Sequence, residues 1–286
     1  MTKEEFKELS GKKTLLLDGA MGTNLMLRGM PKGVCTEEWL TEHPDIPEAL
    51  LSEYAAAGSD IIYAPTFAAN PIALARFGFA DRTEEFCKKL VRIAKKASAG
   101  RCLIAGDLTM TGKADASYEE LLDAYVRQIS ALSAEGVDLL AAETMMSENE
   151  ATAACDAASQ FPGLPLMVTM TVEADGSLLA GGNVFDCLPV FEAMGADAAG
   201  INCSVGPDQL ESVIRGIREY LSIPVICKPN AGVPVIDEKG HAVYGMGPDS
   251  FAEAMLRLID AGAGIVGGCC GTTPEYIKLL RERIDR

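Results

Sequence analysis

Histidine is almost absent from this chain of 286 residues, which has only His43 and His241, and there is a single tryptophan. Two isolated histidines make a Ser/His or Cys/His catalytic pair improbable, and they cannot complete a histidine-based metal site. Basic charge is also scarce. Lys and Arg number 25 against 41 Asp and Glu, a formal net charge of −16. A surface this acidic repels phosphate and excludes nucleic acid and anionic membrane as natural partners. No apolar run reaches the length needed to span a bilayer. The N-terminus, MTKEEFKELSGKK, lacks the apolar segment of a secretory signal, so a cytoplasmic location is expected. No CxxC, HExxH, GxSxG or P-loop pattern occurs.

What is present is an ordinary globular composition, 48% hydrophobic and 23% charged. No Pro-, Ser- or Gly-rich linker interrupts it, which predicts one domain over residues 1–286. Eight short apolar runs recur: 14–20, 60–66, 101–108, 137–144, 164–170, 198–203, 224–230 and 264–270. Continuous runs of this length suit strands buried on both faces, as in a parallel sheet. Helical patterns lie between them. Ser117-Tyr-Glu-Glu120 is a capping box, followed by Leu121, Leu122, Tyr125, Ile129 and Leu132 on one face and by Gly136 as a C-cap. Thr83 opens another helix that ends near Gly100, and 207–221, 248–261 and 273–284 read as helices with Pro207, Pro248 and Pro274 near their starts. Eight strands alternating with helices is the arithmetic of a (β/α)8 barrel. A doubly wound sheet is the runner-up, but the turn after the first strand, Asp18-Gly-Ala-Met-Gly-Thr23, is not a dinucleotide fingerprint. The string Gly262-x-Gly264-x-x-Gly267 leads into a strand, the wrong context for one. The sequon Asn202-Cys-Ser204 has no use in a cytoplasmic protein.

In a barrel, chemistry sits at the C-terminal ends of the strands. Those ends carry Asp18, Thr66, Asp107, Glu143, Cys203, Asn230, Cys269 and Cys270. Three of the nine cysteines and three carboxylates therefore converge on one mouth. Cys35, Cys87, Cys102, Cys155 and Cys187 read as small apolar fillers. Cys203, Cys269 and Cys270 can bind one soft cation, and three ligands leave the open position of a catalytic zinc. Cys227 is a candidate fourth ligand, an iron–sulfur cluster is another metal option, and a pair of core cysteines at a strand end is the plain alternative. Asp18 and Glu143 lie in apolar runs, where an unpaired carboxylate is costly. Each calls for a cation, either a substrate ammonium or a protein Lys or Arg.

Four segments, LLLDGAMGTNL (15–25), GINCSVGP (200–207), KPNAGVP (228–234) and GGCCGTTPEYI (267–277), resemble the homocysteine S-methyltransferase family. The family includes the homocysteine-binding module of cobalamin-dependent methionine synthase, and the resemblance runs from about residue 15 to 277. It implies a (β/α)8 barrel and a zinc ion held by Cys203, Cys269 and Cys270. It also implies that Asp18 and Glu143 recognise the homocysteine amino group. The turn at Gly19 and Ala20 would receive the carboxylate, and Asn202 joins the substrate contacts. The activity implied is methylation of a zinc-bound homocysteine thiolate to methionine. Another thiol or selenol acceptor, or a homocysteine-binding module without turnover, are the alternatives. Two mouth segments depart from the family pattern, YAPTFAAN (63–70) and GDLTMTGK (106–113). No folate- or cobalamin-binding domain is expected beyond the barrel. The methyl donor is therefore open between a separate corrinoid protein and a small donor such as S-methylmethionine or a betaine.

Overall fold

Strand formation follows the eight apolar runs. The computed structural model describes residues 1–237 and 242–286. Its main sheet holds β1 (Leu15–Leu16), β2 (Ile61–Ala64), β3 (Leu103–Leu108), β4 (Leu139–Met145), β5 (Leu166–Met170), β6 (Ala198–Asn202) and β7 (Val225–Lys228). After a small hairpin of β8 (Pro234–Ile236) and β9 (Ala242–Tyr244), β10 (Ala263–Val266) supplies the eighth barrel strand. All seven ladders are parallel, in the order β1-β10-β7-β6-β5-β4-β3-β2. Helices fill the connections, giving a (β/α)8 barrel.

The seam between β1 and β2 is closed largely by side chains. Asp60 N–H donates to Leu16 O at 2.7 Å, and Leu16 N–H donates to Asp60 Oδ2 at 2.8 Å. One turn higher, Tyr63 N–H donates to Asp18 Oδ2 at 2.8 Å. Asp18 thus takes the place of a missing strand partner, which fixes its position.

Alternation along the strands sorts the core into two layers. Leu15, Leu17, Ile61, Tyr63, Ala105, Leu139, Ala141, Met167, Ala198, Ile226 and Ile265 fill the barrel interior. Their neighbours, such as Leu16, Ile62, Leu140, Val168 and Cys227, pack outward against the helices. Among the helices, Tyr118–Ala134 has the anticipated capping box at Ser117 and Glu120, and Gly136 takes φ +67° beyond its end. Pro248 and Pro274 occupy first helical positions. The segment expected as one helix from Pro207 is two pieces, a 3₁₀ turn Pro207–Gln209 and a helix Glu211–Tyr220.

Candidate metal centre

The two-residue repeat carries the apolar barrel floor upward into a polar layer. Ala105, Ala141, Met167 and Ile226 are followed, two residues on, by Asp107, Glu143, Thr169 and Lys228. Asp18, Tyr63, Asp107, Glu143 and Lys228, with Cys203, Cys269 and Cys270, line a cavity of about 310 Å³ at the C-terminal ends of the strands. This is the small end of the range for ligand pockets.

Cys203, at the tip of β6, and Cys269 and Cys270, just beyond β10, bring their three sulfurs within 4.8 Å of one another. Cys203 Sγ and Cys270 Sγ are 3.7 Å apart. A tetrahedral ion with metal–sulfur bonds of ~2.3 Å spaces its sulfurs by ~3.8 Å, so the donor set fits a metal ion of that size. Hydrogen bonds from Cys203 and Cys269 pull the Cys270 thiol down to about 3. The same contacts raise Cys269 well above the usual thiol range. Three thiols packed this closely oppose one another's ionisation, and a cation among them lets all three ionise.

Local backbone geometry builds the cluster. Cys203 sits at φ +50° and Thr144 at φ +58°, conformations that cost a non-glycine residue free energy and persist only when held. Cys203 N–H is held by Lys228 O at 3.2 Å. Thr144 is clamped by the Asn202 side chain, whose Oδ1 accepts Thr144 N–H at 2.7 Å and whose Nδ2 donates to Thr144 Oγ1 at 2.8 Å. Asn202 also donates to Glu143 Oε2 at 3.2 Å and accepts from Thr169 Oγ1 at 2.9 Å. One amide thus ties the strand tip bearing Glu143 to the residue before Cys203. Gly271 takes φ +83°, and a Cβ there would lie 2.3 Å from Tyr244. Only glycine lets the loop after Cys270 pass beneath Tyr244 of the β8–β9 hairpin, a residue that helps to lower the Cys270 thiol.

Of the two cations considered for the acids, the structure supplies a protein lysine. Lys228 Nζ lies 3.5 Å from Asp18 Oδ1 and 3.4 Å from Glu143 Oε2, and 4.5 Å from the centroid of the Tyr63 ring. Burial opposes its charge, but Glu143 and Asp18 outweigh burial and hold the ammonium protonated well above the usual lysine range. Both contacts exceed the ~2.7–2.9 Å of a closed charge-assisted hydrogen bond, so the acids retain accepting capacity. Burial, partly offset by Lys228, pushes Asp18 up to about 6. Lys228 was not singled out from the sequence, although its place two residues after inward-facing Ile226 was the available signal. Glu37 is another unanticipated acid on the cavity wall; its Oε1 accepts Ala68 N–H at 2.9 Å and its Oε2 the Cys35 thiol at 3.7 Å. In the turn after Asp18, Gly19 lines the cavity, and Ala20 N–H donates to Thr272 Oγ1 at 3.1 Å.

The remaining candidates fall elsewhere. Cys227 is buried between sheet and helices, apart from the sulfur cluster, so it is no fourth ligand. Cys35, Cys87, Cys155 and Cys187 are buried fillers, and Cys102 is half-buried against Ser98. Thr66 and Asn230 support loops, through Asp107 O and Ser204 O. His43 is exposed and stacks on Trp39, and His241 lies outside the described residues.

Comparison with known proteins accords with this geometry. The chain is 29% identical to methionine synthase of Mycobacterium leprae over 98% of its own length and 25% of that protein. It is 30% identical to methionine synthase of Mycobacterium tuberculosis, over 95% and 24%. It thus spans about a quarter of the length of these relatives. Its fold matches the metallated homocysteine methyltransferase MmuM of Escherichia coli, with a TM-score of 0.82 and 24% identity over 97% of this chain and 99% of that one. The family model described as homocysteine S-methyltransferase matches residues 15–284, which include all three clustered cysteines and the acids around Lys228. By that match over nearly its whole length, the chain belongs to the homocysteine S-methyltransferase family.

Proposed function

We propose that this protein transfers a methyl group to homocysteine, forming methionine, with one zinc ion held by Cys203, Cys269 and Cys270. The observation that carries the reading is the sulfur triad beside a pocket of buried acids. Cys203, Cys269 and Cys270 would hold the zinc, which would supply the acidity that ionises an incoming thiol while leaving its sulfur nucleophilic. Asp18 and Glu143 face the position for the acceptor's ammonium, and the Gly19–Ala20 turn the position for its carboxylate. Asn202 contributes by holding Glu143 and Thr144, since its amide is committed to protein partners. In the transfer itself one S–C bond forms as the methyl group's bond to the donor breaks, and the donor keeps the electron pair. No proton moves in that step, which agrees with a mouth lined by no histidine among the described residues.

For the donor, we favour a methyl group presented by a separate corrinoid protein over a small sulfonium or betaine. Phe67, Met146, Leu179, Val235, Ile236 and Val243 are exposed on the loops that follow β2, β4, β5 and β7, an apolar rim around the mouth. Exposed apolar clusters of this kind mark contact surfaces. A cytoplasmic location suits the nine free cysteines, and among the described residues no helix is long and apolar enough to cross a membrane.

The test is methyl transfer to homocysteine by zinc-loaded protein with methylcobalamin carried on a corrinoid protein, S-methylmethionine or betaine as donor. Methionine formed fastest from the corrinoid protein supports the reading. Methionine formed only from a small donor corrects the donor, and none from any donor argues for a binding module. Homocysteine binding to the zinc-loaded protein is also expected to release at least about one proton near pH 7, because a free thiol ionises near ~8.5. Calorimetry in buffers of different ionisation heat reads this number, and no release would count against a thiolate acceptor.

A further inference from the structure

Asp107 stands at the tip of β3 with its side chain in the same cavity and is 5% exposed. Its Oδ1 has no hydrogen-bond partner among the described residues. A buried carboxyl oxygen in this state is uncommon and costs stability unless a ligand uses it. The other acids nearby each face a partner in the protein, although Asp18 Oδ1, like Asp107 Oδ1, accepts no hydrogen bond and meets only the Lys228 ammonium at 3.5 Å. Glu37 accepts from Ala68 and Cys35, and Asp18 and Glu143 share Lys228. An ammonium group arriving between Asp18 and Glu143 would therefore meet a resident cation.

From this geometry we infer that Asp107 is a specificity-determining residue, whose Oδ1 receives the acceptor's ammonium group together with Glu143 and supplies the negative charge that Lys228 neutralises. The inference rests on the acceptor reading above. With the acceptor in place, two cations face the three carboxylates of Asp18, Asp107 and Glu143. Without it, Lys228 faces all three alone. Burial and the negative charge of Glu143 accordingly hold the Asp107 carboxyl well above the usual range, and an arriving ammonium reverses that repulsion. Asp107 lies in the segment GDLTMTGK, where this chain departs from the family pattern.

The experiment compares homocysteine with 4-mercaptobutanoate, the same thiol acid without the amino group, by calorimetry on zinc-loaded wild type and Asp107→Asn. Wild type is expected to prefer homocysteine, and the variant to lose about 10- to 100-fold of that preference, the worth of a hydrogen bond to a charged group. Its zinc content and its affinity for 4-mercaptobutanoate should stay at the wild-type level, which also shows that it is folded. A preference absent from wild type, or unchanged in Asp107→Asn, overturns the inference alone. A wild-type protein that binds neither thiol overturns the acceptor reading with it.

Discussion

Cys269→Ser is expected to lose most of its metal. The wild-type chain should carry about one zinc, whereas the variant's affinity should fall by more than about 100-fold, beyond the ~10–100-fold typical of losing a residue that merely orients a ligand. Two features make the effect large. Cys269 is buried, its sulfur lies within 4.8 Å of both partners, and among the described residues no fourth Cys, His or carboxylate joins that cluster to substitute for it. Its thiol, like that of Cys203, is raised above its usual range by its neighbours in the cluster; a cation is what makes three sulfurs of like charge tolerable there. Serine retains the volume and offers a far weaker ligand. Metal content after chelator challenge reads the outcome, and full retention would remove Cys269 from the ligand set.

The second large effect concerns Lys228. Lys228→Met keeps the length of the side chain and removes the cation between Asp18 and Glu143, leaving two buried carboxylates without their counter-charge. Breaking a buried pair from one side costs about 3–5 kcal/mol. The loss should depend on pH, and its sign follows from Asp18. Burial already raises that carboxyl to about 6 from its ordinary value of 3.8, with Lys228 opposing the rise. The folded state therefore holds the Asp18 proton more tightly than the unfolded chain. The ionised carboxylate costs stability above about pH 6, and the cost fades as pH falls from 6 toward 4. Without Lys228 the carboxyl rises further, so the variant's deficit should be larger at pH 8 than at pH 5. Thermal unfolding of both proteins at the two pH values checks this. Equal deficits, or none, would mean that the lysine does not compensate the acids.

The barrel was readable because its strands are buried on both faces, which turns each into an unbroken apolar run bounded by small or polar residues. The sulfur triad was readable for a related reason: once the strands are placed, topology alone puts their C-terminal ends around one rim. The hairpin at β8 and β9 was not readable. Val235, Ile236 and Val243 are apolar yet exposed, so their spacing reports no buried face. Lys228 was hidden inside the outwardly apolar run VICK, where Cys227 drew attention as a thiol although its side chain faces the helices. The left-handed conformations of Thr144 and Cys203 had no local signal, because they are imposed by partners distant in sequence, Asn202 on Thr144 and Lys228 on Cys203. Asp107 could be placed at the mouth from the sequence, but its unpartnered oxygen is a property of the assembled cavity.

The central claim is that three sulfurs hold one zinc ion and leave a place for the acceptor's sulfur. X-ray absorption at the zinc edge, recorded on the purified protein before and after homocysteine is added, counts those neighbours directly. Three sulfur scatterers rising to four, at ~2.3 Å, is the expected result. A count that starts at four, or stays at three with homocysteine saturating, would contradict it.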